Sequence, residues 1–405
     1  MSKISLKGKC YDDFFVHIIT LMLSLPNKYN FLTMNRFGGK SERTYRNHFS
    51  KPHEMGLFNM ELIKAYSQDE IIWAFDPSYI SKSGKKTYGA GYFWSGCAQS
   101  IKPGLEIASI AAVDIKQKRA LHYKAIQTPS KLVDETPWQY YARIIIAEKE
   151  PMQKLSNICV QDAYFSKETF VTPMVNNGFE VISKFASNVK LRYLYAGPQK
   201  GCKGKNSGNG KGSGGGCPKK FDGKVKLKKL DEQYFTPCYQ DDDEIGYEGV
   251  VYADALKMKI RLVVIHKLDS QGKVVSARTA FSTNLNSIGI DIIYNYRMRF
   301  QQEFVFRDGK QFTGLADCEA RSMEKIDFHI NASLTTVNVA KAMHHHPVEN
   351  EENPFSMADI KTQYFNKLLL DETINIFISQ FGISPNAIKN NHQIALLYNK
   401  GKIAA

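Results

Sequence analysis

Tyr296-Arg297-Met298-Arg299-Phe300-Gln301-Gln302-Glu303-Phe304-Val305-Phe306-Arg307-Asp308-Gly309-Lys310 is the stretch on which the reading of this chain turns. It spaces four polar residues as Tyr-x2-Arg-x3-Glu-x6-Lys, at positions 296, 299, 303 and 310. If the stretch is helical, at about 100° per residue, Arg299, Glu303 and Lys310 stand at about −60°, −20° and −40° from the tyrosine. All four share one narrow face. A core-facing stripe is apolar and a solvated face scatters its charges. A stripe of one carboxylate, two cations and a phenol therefore suggests a surface that holds a metal beside a phosphate. The plainer alternative is a salt-bridged helix, with Arg299 and Glu303 paired at i,i+4.

Outward from this helix, composition bounds the answer. The chain has 405 residues, 43% of them apolar, enough for one large or two to three ordinary domains. A formal charge of +14 and a pI near 9.2 favour a polyanionic partner, since neutralising phosphates releases counterions. The apolar run Phe14 to Leu25 is broken by His17 and Thr20 and is too short to span a bilayer. Asp12 and Asp13 precede it and no small-residue cleavage site follows, which argues against a signal peptide. A soluble intracellular protein is expected, with no membrane partner. The seven cysteines contain no Cys-x-x-Cys pair, so structural zinc is not expected and free thiols are. His344-His345-His346 reads as incidental surface histidines, because successive helix residues point in different directions.

Residues 1–68 read as a helical domain. Ser41 is a candidate N-cap for a helix carrying Arg43, Arg46, Asn47 and His48, and a Gly-containing turn precedes it, as in a helix-turn-helix. From Ile71 the texture becomes strand-like: Ile71 to Phe75 ends at Asp76-Pro77-Ser78, and segments near Tyr88 to Trp94 and Ile107 to Asp114 follow. Helical periodicity over Trp138 to Lys154 precedes Ile158 to Gln161, a short strand that delivers Asp162 at its C-terminal end. Three strands, a helix and a strand form the order of a ribonuclease H-like core, whose first part is placed at 69–167. Residues 168–280 read as a β-rich insertion containing a Gly/Lys loop at 197–220, too polar to bury a core. The second part of the core is placed at 281–345, with one helix from Ile288 to Phe306, and a helical C-terminal region at 346–405. The fold class is thus α/β, a ribonuclease H-like core interrupted by a β-rich insertion, with helical ends.

Two aspartates at strand ends and a glutamate on a later helix are what a two-metal phosphoryl-transfer site needs. Hard divalent cations prefer carboxylate oxygens, and two ions about 3.5–4 Å apart serve the attacking and leaving oxygens. A lone aspartate at a strand end is more often a cap, so Asp76, Asp162 and Glu303 gain weight only jointly.

With these residues in view, the chain resembles the DDE transposases of bacterial insertion sequences, in the cut-and-paste group defined by the Tyr-Arg-Glu-Lys signature. Three blocks carry the resemblance: Phe75-Asp76-Pro77-Ser78 with Lys82-Ser83-Gly84-Lys85 and Gly104-Leu105-Glu106; Gln161-Asp162-Ala163-Tyr164-Phe165-Ser166; and Tyr296 through Leu315. The resemblance implies that Asp76, Asp162 and Glu303 form the catalytic triad and bind Mg2+, with Mn2+ able to substitute. It also implies that Tyr296, Arg299 and Lys310 hold DNA phosphates and end nucleotides; Lys85 and Arg192 are further candidate DNA contacts. Arg43 and Arg46 are our own candidates for terminal-repeat recognition.

The family's reaction is Mg2+-dependent hydrolysis at the element's 3′ ends, hairpin formation and joining of the 3′-OH ends to target DNA. Expected partners are double-stranded transposon-end and target DNA and a second subunit in a synaptic homodimer, at the bacterial nucleoid in the cytoplasm. One departure concerns the hairpin. Relatives often place a tryptophan in the insertion to stack a flipped base, but Trp73, Trp94 and Trp138 all precede Asp162. Tyr234, Phe235 or Tyr247 are the aromatic substitutes within the insertion. Two rival readings share these features: a ribonuclease H-like nuclease or resolvase, and a domesticated transposase that only binds DNA.

Overall fold

The computed structural model describes residues 9–26, 28–67, 70–199, 218–345, 355–382, 384, 388 and 391–402. Most of the Gly/Lys stretch and His346 lie outside them. In chain order the elements begin with helices α1 (Lys9–Ser24), α2 (Phe31–Gly38), α3 (Glu42–Phe49) and α4 (Met55–Tyr66). Strands β1 (Ile71–Ser81), β2 (Gly91–Ser95), β3 (Ser100–Asp114) and β4 (Arg119–Thr128) follow, then α5 (Pro137–Ala147), α6 (Lys149–Gln153), β5 (Ile158–Gln161), α7 (Glu168–Asn176) and β6 (Glu180–Ser183). Next come β7 (Leu191–Leu194), β8 (Phe221–Lys224), β9 (Thr236–Gln240), β10 (Glu244–Ala253), β11 (Met258–Leu268) and β12 (Val274–Ser282). The chain then returns to helices α8 (Gly289–Met298), α9 (Gln301–Phe312), α10 (Met323–His345), α11 (Met357–Phe381) and α12 (His392–Tyr398). The protein is of the mixed α/β class. No helix among the described residues is long and apolar enough to cross a membrane.

The chain forms two compact units, residues 1–134 with 300–405, and residues 135–299. In the first, β3 is the organising strand. It pairs antiparallel with β1 from Gly104 to Asp114, with β2 from Ser100 to Gly104, and with β4 from Glu106 to Asp114. The run Ile71 to Phe75 is buried on both faces, as its unbroken apolar sequence requires. The strand does not stop at Asp76, where the sequence suggested an end. Its pairing with β3 continues to Ser81 opposite Gly104, so Asp76 sits within β1, opposite Ser109.

Helix α10 is buried along most of its length although it carries Asn331, Ser333, Thr335, Thr336 and Asn338. Each polar group needs a partner in that setting. Asn331 exchanges hydrogen bonds with the Ala125 backbone, Asn338 Nδ2 donates to His122 O at 2.6 Å, and Lys341 Nζ donates to Ala120 O at 2.8 Å, which fixes α10 along β4. Burial pushes the Lys341 pKa down to about 8, with Asp308 opposing the shift. An aromatic cluster closes the other side. Phe49 of α3 and Phe328 of α10 pack at 4.3 Å between ring centroids, and Phe14 of α1 joins them. Burying one such ring stabilises by roughly 1.5–3 kcal/mol. Ser41 caps α3 by accepting from Thr44 N at 3.2 Å, and Gly39, with φ of 67°, supplies the left-handed turn between α2 and α3.

In the second unit the strands run in the order β5-β6-β12-β11-β10-β7-β8, with β9 on β10. The pair β5 and β6 is parallel, joined through α7, and the pairings from β6 to β8 are antiparallel. Ile292 and Ile293 bury the inner face of α8.

The single helix expected over Ile288 to Phe306 is instead two helices. At the junction Arg299 N bonds Tyr296 O and Glu303 N bonds Phe300 O, both i to i−3, so the winding tightens from α to 3₁₀ there. Tyr296 and Arg299 belong to the end of α8, while Glu303 and Lys310 share a face of α9. The boundary between the units falls at the same point.

Candidate active site

In the first unit, α9 is tied to β1 and β3 at two levels. Lys310 Nζ donates to Ser78 Oγ at 2.8 Å, and Gln302 Nε2 donates to Ser109 O at 2.6 Å. Asp76 and Ser78 stand two residues apart on a strand and so point to the same side. Glu303 and Lys310 stand seven apart on a helix and so also share a side. The bond from Lys310 to Ser78 therefore sets the Glu303 face of α9 over the Asp76 face of β1. Ser109, which receives Gln302, is the cross-strand neighbour of Asp76, so the Glu303 turn lies at the level of Asp76.

Below this pair runs a buried polar chain that the sequence reading did not anticipate. Asn331 takes the Ala125 N–H on Oδ1 and gives Nδ2 to Ala125 O, which fixes its amide orientation. His122 Nε2, 3.3 Å from Asn331 Oδ1, must then be the protonated nitrogen. His122 Nδ1 is left to accept from Ser109 Oγ at 3.0 Å. Burial drives the His122 pKa down to about 3, so the ring is neutral. Lys310 is shifted in the same direction: burial of its head lowers the pKa, opposed by the nearby Cys97.

In the second unit, Asp162 follows β5 and caps the short 3₁₀ turn Ala163–Phe165, accepting from Ala163 N at 2.7 Å. Continuing the parallel register of β5 and β6 sets Asp162 beside Lys184, whose Nζ lies 3.5 Å from Asp162 Oδ1. Tyr296 Oη, from α8, donates to the same oxygen at 3.5 Å, and Lys184 Nζ stands 5.6 Å from the Tyr296 ring centre. Burial works to lower the Lys184 pKa, but Tyr296 and Asp162 outweigh it and the ammonium is held above the ordinary lysine value. Burial raises the Tyr296 pKa, against the pull of Lys184 and Arg299. Ser183 Oγ donates to Asp162 O at 3.1 Å, which ties the two strand ends together.

The structure thus brings Tyr296 to Asp162, and the Lys310 and Glu303 face to Asp76. Arg299 forms the C-cap of α8. Among the described residues no group of three or more His, Cys, Asp or Glu side chains is gathered closely enough to hold a metal ion. Lys85 is exposed in the turn after β1. Arg192 is committed elsewhere: its Nε and Nη2 both reach Asp254 Oδ2, at 3.0 and 2.8 Å. On α3, Arg43 is exposed, whereas Arg46 pairs with Glu42 and covers the Phe31 ring at 4.8 Å. Lys184 was missed in the sequence, although its place at the end of a strand parallel to β5 is where α/β sheets gather functional groups.

No family model matches the chain, and a comparison with curated proteins finds no match. Among solved structures, the chain is similar to the cryo-EM structure of piggyBac transposase in a synaptic complex with hairpin DNA, with 10% identity over 96% of this chain and 75% of that one, at a TM-score of 0.38. A likeness of that extent supports neither a fold nor an activity for this chain.

Proposed function

We propose that this protein is a DNA transposase that binds the terminal repeats of an insertion sequence, hydrolyses the 3′ ends and joins the freed 3′-OH groups to target DNA. What supports the reading is the bond from Lys310 to Ser78, which joins the face of α9 that carries Glu303 to the face of β1 that carries Asp76. Such a surface suits a phosphodiester whose negative charge needs both a divalent ion and a protein cation.

The donor set fits Mg2+ chemically. Asp76 and Glu303 offer hard carboxylate oxygens from facing elements, and Asp162 is the third carboxylate in the assignment. When bound, Mg2+ supplies charge to the scissile phosphate and acidifies coordinated water. Lys310 and Lys184 contribute positive charge toward phosphate oxygens, and Tyr296 holds Asp162 in orientation. His122 and Ser109 keep the strand beneath Asp76 and the Gln302 turn of α9 in register. The ribonuclease H-like core, the hairpin step, the synaptic homodimer and the nucleoid setting belong to the same reading.

The test is cleavage, with Mg2+, of a plasmid carrying this gene and its native flanking DNA. Wild type should excise at both gene borders, and Glu303→Gln should reduce the rate by roughly 10²–10⁴-fold, the value of several kcal/mol of charge stabilisation. DNA binding should survive the substitution. Hydrolysis without strand transfer would give the protein to the nuclease class.

One observation favours a second reading, a DNA-binding protein without cleavage. Asp162 is engaged by Lys184 and Tyr296. Binding by both proteins with cleavage by neither would select it.

A further inference from the structure

Residues 77–105 contain four lysines, five aromatic residues and no acidic residue. The segment includes the β2–β3 hairpin, which projects past the end of β1: the β1 pairing ends at Ser81 opposite Gly104, and β2 takes over from Gly104 to Ser100. On one face of this hairpin Tyr92 lies opposite Pro103 and Trp94 opposite Ile101. Tyr92, Trp94 and Ile101 are 79%, 56% and 65% exposed, among the largest exposures of any apolar side chain here. The other two tryptophans are unavailable: Trp73 is buried, and Trp138 donates its indole N–H to Tyr164 O at 2.8 Å.

A contiguous exposed patch of large rings on an edge hairpin marks an interaction site. Its surroundings state the partner's charge. Lys85 and Lys86, in the turn before the hairpin, are exposed, Lys102 opposite Phe93 lies on the hairpin's other face, and no acidic residue intervenes along the sequence before Glu106. Cations interleaved with exposed rings suit single-stranded nucleic acid, whose backbone is a polyanion and whose bases offer π-faces.

The hairpin is also braced in advance. At its base, a Cβ on Gly104 would stand 2.3 Å from Ile80 O and one on Gly91 would stand 2.5 Å from Ser130 Cβ, so the backbones are in close contact. At its tip, Gln99 Nε2 donates to Gly96 O at 2.6 Å and Ala98 N to Ser95 Oγ at 3.4 Å. Rings presented on a stiff support lose little entropy on binding.

The aromatic residues of the β-rich segment are less suitable. Phe235 is buried, Tyr234 stacks on Tyr193 at 4.5 Å, and Tyr247 lies against His266 at 5.3 Å.

We propose that Trp94 and Tyr92 form a stacking platform for unpaired nucleobases of DNA, with Lys85 and Lys86 holding the adjoining phosphates. The choice of DNA as the polyanion rests on the function proposed above. The stacking claim rests on the exposed rings and their lysine setting.

The experiment uses the full chain and three fluorescein-labelled probes of equal length: a single-stranded oligo-dT, a strand of abasic sugar-phosphate units, and a blunt duplex. Affinities are read by anisotropy at fixed salt. Trp94→Ala should weaken binding to oligo-dT by about tenfold or more, with the abasic strand and the duplex unchanged. Trp94→Tyr should keep most of the affinity. Trp94→Leu, which keeps apolar bulk without a π-face, should behave like the alanine variant.

Equal loss on oligo-dT and abasic strands, or no loss on either, would overturn the stacking platform while leaving the proposed function standing. Loss of self-association by Trp94→Ala in sedimentation, with all DNA affinities intact, would assign the face to a second copy and also overturn it. Absence of binding to every probe by wild type, the duplex included, is the result that removes the proposed function itself.

Discussion

Lys310 and Ser78 are joined by a 2.8 Å hydrogen bond that spans 232 residues of sequence and fixes where α9 meets β1. The bond has a functional consequence in the proposed reading, because Lys310 lies on the face of α9 that carries Glu303 and bonds the face of β1 that carries Asp76. Its pKa lies below the ordinary lysine value of 10.5, chiefly through burial. The sign follows directly: the group loses its charge at a lower pH than a lysine of ordinary pKa does. As pH rises toward 10.5, the Lys310 contribution to DNA affinity should fade first. Lys310→Met should lower the slope of log affinity against log salt by about one, the value of one phosphate contact. The difference between variant and wild type should shrink at alkaline pH. Parallel curves at every pH would remove Lys310 from the DNA interface.

Arg43 and Arg46 differ in what each must give up to reach a phosphate. Arg43 is exposed, whereas Arg46 pairs with Glu42 and lies over Phe31. Arg43→Ala should therefore weaken duplex binding more than Arg46→Ala. An exposed i,i+4 pair is worth about 0.3–0.5 kcal/mol, so Arg46→Ala should leave the thermal midpoint almost unchanged. Both variants should still cleave ends on which the complex has been preassembled. Filter-binding titrations with an end duplex would check the order, and equal binding by both variants and wild type would exclude α3 as the recognition helix.

His122 supplies a pH dependence of stability that needs no substrate. Its folded pKa, about 3, lies below the value of 6.5 for an unperturbed ring. Between those values the unfolded chain binds the proton and the folded chain does not, so stability falls as pH drops through the window, by up to about 1.4 kcal/mol per pH unit. Above pH 6.5 the effect is absent. His122→Gln keeps a donor for Asn331 and removes the titration, so its denaturation midpoint should change less between pH 6 and pH 4 than that of wild type. Identical acid profiles would place the loss elsewhere, among carboxylates.

Much of the fold was legible in the sequence because its cues are local. Ser41 announced the start of α3, and the apolar run Ile71 to Phe75 announced β1. Periodicity does not report strand length beyond the buried part, which is why β1 was read as ending at Asp76 while its pairing runs on to Ser81. Nor does it report a tightened turn, and Arg299 and Phe300 keep helical dihedrals through the break between α8 and α9. The site residues missed in sequence are those defined only by tertiary partners. Lys184 becomes notable through the register of β5 and β6, and His122 through the amide of Asn331.

Gln161 offers a test of whether the region beside Asp162 sacrifices stability for function. Its side chain is fully buried, and both amide atoms lack a hydrogen-bond partner among the described residues. A buried amide left unpaired costs about 1–3 kcal/mol, so a fold selected for stability alone would place an apolar residue here. Methionine has similar length and flexibility and needs no partner. Gln161→Met should therefore raise the thermal midpoint by a few degrees, the expected effect of about 1 kcal/mol in a unit of this size. In the transposase reading it should at the same time slow end cleavage, because the amide directly precedes the Asp162 carboxylate on β5. A higher midpoint with unchanged cleavage would show that Gln161 is only a packing defect. A lower midpoint would show that the amide is satisfied in solution and holds β5 in place.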